Sequence, residues 1–172
     1  MSHTIQTPLS ILIFPLLLLC FFSAYANEQL FGIVTKVTDG DTVNLNAEDT
    51  IHKIRLSEID APERNQSYGL TARAVLSSLL LGKQVEVKIV KKSDSYGRVI
   101  GRIFIDDKDV SAYMVEMGHA MVYRRYITDD SLLKLENNAK KRNLGLWKLS
   151  EEDRVPPWVW RKQKRKKDLR AK

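Results

Sequence analysis

Apolar and β-branched residues crowd positions 30–37, and Thr38-Asp39-Gly40 then breaks the run, which predicts a strand entering a turn. Residues 42–45 and 51–56 read as two more short strands, separated by loops bearing Asn and Asp. The period then changes. Ala72, Val75, Leu76, Leu79 and Leu80 recur at helical spacing, and Gly82 supplies a stop. Residues 85–90 alternate apolar and charged, as a half-buried strand does, and the loop 91–97 leads into a further strand over 98–105. Asp109 is placed to cap a short helix with an apolar stripe of Val110, Tyr113, Met114 and Met117, closed by Gly118. Residues 120–123 read as extended, and a third helix runs from Asp130 or Ser131 to about Arg142.

Five short strands with a helix after the third predict an α+β, mainly β fold: a small closed five-stranded Greek-key barrel with three helices outside it. The globular domain is expected over 27–150. Beyond Glu151 the chain turns polar, passes Pro156-Pro157, Trp158 and Trp160, and ends in basic residues, so 151–172 reads as an extended segment and a flexible basic tail.

The amino-terminal pattern concerns destination rather than fold. Residues 1–26 hold no Asp, Glu, Lys or Arg, and an apolar run over 9–22 precedes Ala24-Tyr25-Ala26. This predicts a signal peptide cleaved after Ala26 and a secreted or periplasmic product with no membrane span after cleavage. The alternative is an uncleaved anchor, against which stand Pro15 and a run shorter than the ~20 residues a bilayer span needs.

Charge adds a second asymmetry. The 172 residues carry 28 Lys and Arg against 21 Asp and Glu, for a net charge of +7. Residues 161–172 alone contain eight basic residues and one acid, so the rest of the chain is balanced. The sequence therefore suggests a neutral domain with a basic arm, either a solubilising disordered end or one that holds a phosphate backbone. The single cysteine, Cys20, falls within the predicted signal, which excludes disulfides, thiolate catalysis and cysteine-type zinc sites from the mature chain. His52 and His119 stand far apart in sequence and read as packing or surface residues.

Three clusters could carry chemistry. Asp39-Gly40-Asp41-Thr42 is a hairpin signal that also presents carboxylates. Arg55 lies inside an apolar strand and needs a partner, and Asp60 and Glu63 follow across Pro62. Ser93 to Arg98 forms a turn that delivers an arginine to a strand. Read separately, these are a turn, a surface ion pair and another turn. Together they supply the acids Asp41, Asp60 and Glu63 and the arginines Arg55 and Arg98, the parts that metal-assisted phosphoryl chemistry uses. Gly-rich phosphate loops, nucleophile elbows and Cys–His pairs are missing from the sequence.

As an ordered set, Asp39-Gly40-Asp41-Thr42, Arg55, Asp60-Ala61-Pro62-Glu63, Tyr96-Gly97-Arg98 and Gly145-Leu146-Trp147 resemble the staphylococcal nuclease (thermonuclease) family over residues 30–149. The resemblance implies an OB-type five-stranded barrel with three helices and a calcium-dependent endonuclease acting on DNA and RNA, expected as a monomer. It implies calcium ligands at Asp41, Asp60 and the Ala61 carbonyl, phosphate-binding arginines at Arg55 and Arg98, a general base at Glu63 and a substrate contact at Tyr96. Ala61 stands where the family often has Thr, and Ser95 where Lys is common. The alternative from another class is a non-catalytic nucleic-acid-binding barrel.

Overall fold

The computed structural model describes residues 28–128 and 130–171. The predicted signal segment lies outside them. Strands β1 (Gln29–Val37), β2 (Thr42–Ala47) and β3 (Thr50–Leu56) form an antiparallel meander, each within a few residues of its sequence pattern. After the short β4 (Ile59–Asp60) comes helix α1 (Gly69–Leu80), then β5 (Gln84–Lys91) and β6 (Val99–Ile105). β5 pairs antiparallel with β1 and with β6, and β6 pairs parallel with β3. That last pairing closes five strands into a barrel, the OB arrangement. The two-residue β7 (Lys108–Asp109) folds back antiparallel on the end of β6 and leads into helix α2 (Val110–Glu116). β8 (Met121–Val122) pairs with β4, and helix α3 (Ser131–Lys141) follows.

Alternation explains the core. Val34, Val43, Leu45, Ile54, Leu56, Val87 and Ile103 point into the barrel and are fully buried. Ala72, Leu76 and Leu80 of α1 cover that core, while Val75 and Leu79 flank the buried stripe. The Asp109 carboxylate caps α2 by accepting from the Ala112 amide at 3.2 Å. The buried side of α2 is Val110, Ser111, Met114 and Val115, with Tyr113 exposed, so the buried face is rotated from the stripe the spacing predicts. Ser111 fits there because its hydroxyl donates to the Ser57 carbonyl at 3.3 Å.

The largest difference is at the carboxyl end. Pro157–Arg170, expected as an extended and flexible segment, is a fourth helix, α4, with Pro157 in its first turn. Trp158 stacks on Tyr123 with ring centroids 5.4 Å apart, and the Gln66 side-chain amide donates to the Val155 carbonyl. The basic run thus begins on a helix seated against the domain.

Candidate active site

The turn between β1 and β2 is closed by the Thr38 amide donating to the Thr42 carbonyl at 2.8 Å. A β-carbon on Gly40 would come within 2.6 Å of the Ala61 side chain and 2.8 Å of that of Ala72, so only glycine lets the turn lie this close to α1. The buried Asp41 carboxylate accepts the Thr42 hydroxyl and the Ala61 amide, each at 2.9 Å. One side chain thereby ties the turn to the segment after β4.

Between β3 and β4 the chain reverses through Glu58, whose φ of 65° is left-handed. Buried Glu58 anchors this bend by accepting the Thr128 amide and hydroxyl at 2.7 Å each. Arg55 braces it from inside. Its Nη1 donates to the Leu56 and Ile59 carbonyls at 2.7 and 2.9 Å, and its Nη2 to Asp60 Oδ1 at 2.8 Å, with Asp41 at 3.4 Å. Asp60 is completely buried. Glu63, partly exposed, is held through its backbone: its amide donates to the Gln66 side chain, and its carbonyl accepts the Gln66 amide. Gly69 at the start of α1 packs so closely that a β-carbon would overlap the Glu63 carbonyl. Asp41, Arg55, Asp60, Ala61 and Glu63 therefore converge at one end of the barrel.

Arg98 and Tyr96 stand apart from that convergence. The parallel β3–β6 register sets Arg55 beside Ile100, so Arg98 lies two residues before that position, just ahead of the first pair of the seam, Ile54 with Val99. Its guanidinium is engaged within its own hairpin, donating to Asp94 Oδ2 from Nε at 2.9 Å and Nη2 at 2.7 Å. Tyr96 is 79% exposed at the hairpin tip, with the Arg98 guanidinium 5.3 Å from its ring centroid.

Two residues that were given no ligand or catalytic role from the sequence join the cluster. Asp39 is half-buried near Asp41, and desolvation followed by that neighbouring charge pushes its pKa up to about 7. Arg161, from the first turns of α4, donates to Asp60 Oδ2 at 2.8 Å, Asp60 Oδ1 at 3.1 Å and Glu63 Oε1 at 2.8 Å. Burial raises the Asp60 pKa, and the hydrogen bond from Arg161 is the chief opposing influence. Burial also works against charge on Arg55, but Asp41 and Asp60 outweigh it and hold the guanidinium protonated.

Residues 53–149 match the model of the family described as staphylococcal nuclease homologue. An uncharacterized endonuclease from Escherichia coli is 40% identical over 87% of this chain and 97% of its own length. The chain belongs to the staphylococcal nuclease family. A micrococcal nuclease from Shigella flexneri is 34% identical over 76% of this chain and 80% of its own. A staphylococcal-like nuclease from Arabidopsis thaliana is 40% identical over 66% of this chain but 34% of its own length. Membership places the protein among nuclease hydrolases.

In this staphylococcal nuclease homologue, every candidate cation ligand is an oxygen. Among the described residues no three His, Cys, Asp or Glu side chains converge as a ready-made metal cage. Two carboxylates, Asp41 and Asp60, lie side by side, each within 3.4 Å of the same Arg55 nitrogen, and Ala61 adds a backbone carbonyl. Such a set suits a hard cation that completes its roughly six to eight oxygen contacts with water and substrate, and it is poor for zinc or copper.

Proposed function

We propose that this protein is an exported, calcium-dependent endonuclease that hydrolyses phosphodiester bonds in DNA and RNA. The convergence of Asp41, Asp60 and Glu63 with Arg55 at one end of an OB barrel carries this reading. Asp41, Asp60 and the Ala61 carbonyl would hold Ca²⁺, which when bound neutralises phosphate oxygens and acts as a Lewis acid.

The side chains then have separable tasks. Arg55 retains its Nε–H beyond the bonds that brace the bend, and Arg98 carries donors at the neighbouring strand end. The Arg55 Nε–H and, once it leaves Asp94, the Arg98 fork would meet phosphate oxygens, whose charge grows as phosphorus becomes five-coordinate. Glu63 orients a water and accepts its proton as the oxygen attacks phosphorus in line. The bond from phosphorus to the leaving oxygen breaks as that attack completes, and the leaving oxygen takes a proton from solvent. Tyr96 offers an exposed ring on which a base can stack.

The basic side chains of α4 begin beside this cluster, so an unpaired strand leaving the site meets further positive charge. Digestion of plasmid DNA and of RNA in calcium and in EDTA tests the reading. Cleavage in calcium and none in EDTA is expected. Undiminished cleavage in EDTA, or none with any divalent cation, overturns it. Export is tested separately by finding the cleaved chain outside the cytoplasm.

A further inference from the structure

Arg161 reaches the cluster from 98 residues beyond Glu63 in the chain, and no hairpin or strand neighbour obliges it to be there. It nevertheless covers both oxygens of Asp60 and one of Glu63. Its side chain is 37% exposed, whereas Asp60 beneath it has no exposure at all. The guanidinium therefore lies between solvent and the carboxylate. Four carboxylates (Asp39, Asp41, Asp60 and Glu63) crowd this end of the barrel, and Arg55 already spends three hydrogen bonds on Leu56, Ile59 and Asp60. Charge compensation at the outward side of Asp60 falls to Arg161.

The helix carrying it is seated independently of that contact. Trp158 stacks on Tyr123 one turn earlier, and Gln66, three residues after Glu63, holds the Val155 carbonyl. Arg161 is thus delivered to Asp60 by a docked helix rather than by a loose tail.

The geometry points to Arg161 as a built-in counter-cation of the active site, a guanidinium that competes with the divalent cation for Asp60 and leaves it when the cation binds. This rests on Asp41 and Asp60 being the cation carboxylates. A cation approaching Asp60 from solvent meets the Nη atoms first, and two positive groups on the same oxygens repel each other. Exchange frees the Arg161 fork beside Glu63, where the phosphate of a bound strand would lie. Removing Arg161 therefore has opposite effects on two ligands: it tightens calcium and weakens nucleic acid.

Isothermal titration of the full-length protein with calcium chloride, without nucleic acid, tests the exchange. Arg161→Gln is expected to bind Ca²⁺ on the order of fivefold or more tightly, the lower end of ordinary site coupling. Trp158→Ala, which unseats α4 without touching a carboxylate, should shift affinity the same way by less. Lys162→Gln removes the same charge from an exposed neighbour and should leave it unchanged. In oligonucleotide cleavage at saturating calcium, Arg161→Gln should raise KM. Equal or weaker calcium binding by Arg161→Gln overturns the proposal, as does an equal shift in Lys162→Gln, which would reveal only a long-range field. An unchanged or lowered KM overturns the released fork. Asp41→Asn separates this from the underlying reading: if it binds calcium like the parent protein, the carboxylate assignment itself fails.

Discussion

Two strand-end arginines, each with an aspartate partner, occupy very different settings. Arg55 is embedded in the bend between β3 and β4, its side chain 11% exposed and its donors divided among two backbone carbonyls and Asp60. Arg98 sits at the mouth of the 93–98 hairpin, 22% exposed, paired with an aspartate four residues away. Backbone amides of Tyr96 and Arg98 converge on the same Asp94 oxygen at 2.8 and 3.0 Å. The first arginine is part of the scaffold as well as of the proposed chemistry. The second is parked on a local turn and can leave it without disturbing the barrel. Two arginine–aspartate pairs therefore yield one preorganised group and one that must be recruited.

Replacing Arg55 should be the most damaging change. Arg55→Gln takes away one of the two guanidiniums on buried Asp60 and releases two carbonyls, which predicts a loss of about 2 kcal/mol, read as a lower thermal midpoint. Turnover should fall roughly 10²- to 10³-fold as well. A variant that keeps its midpoint would show that Arg55 does not brace the bend. Gly69→Ala attacks the same region through the backbone, because its β-carbon needs the space of the Glu63 carbonyl. It should displace Glu63, lowering kcat more than it raises KM. Native kcat would mean that α1 does not set the Glu63 position.

The hairpin should behave otherwise. Arg98→Lys is expected to lower kcat by about tenfold or more, since lysine cannot make a planar fork, while the thermal midpoint barely moves. A large loss of stability would erase the contrast with Arg55. The smallest effect concerns Asp94. Its slight burial works upward, but hydrogen bonds from the Arg98 side chain and from the amides of Arg98 and Tyr96 hold its pKa below the ordinary 3.8. A depressed carboxylate contributes stability above its unfolded pKa and loses it as pH falls through the folded one. Asp94→Asn should therefore narrow the stability difference between neutral pH and pH below about 3.8. An identical acid titration of stability in both proteins would remove Asp94 from that account.

The barrel was legible because its strands are rich in β-branched residues and its first turn carries Asp-Gly, although Asn46, expected in a loop, lies within β2. The carboxylates and Arg55 were legible because a charged residue within an apolar strand demands a partner nearby. Arg161 was not. A basic run reads as a solvated arm whatever it touches, and a contact 101 residues away leaves no local period. The available signal lay just upstream, where Trp158 and Trp160 are costly to leave in water and Pro156-Pro157 favours a helix start. The rotation of the α2 face had a similar cause. Ser111 is polar by type, yet the Ser57 carbonyl behind it makes burial acceptable.

The parallel seam between β3 and β6 also governs how the molecule assembles. It joins Ile54 to Val99 and Leu56 to Gly101, so the barrel cannot close until a long stretch of chain containing α1 and β5 has been gathered in. Proteins dominated by such distant pairings search slowly, on the order of milliseconds to seconds, because loop closure precedes the contacts that reward it. The bend that carries Asp60 hangs on this seam, and α4 docks on the bend. Newly made chains should therefore assemble the Asp41–Asp60–Glu63 cluster late, with the Trp158–Tyr123 stack forming no earlier than barrel closure.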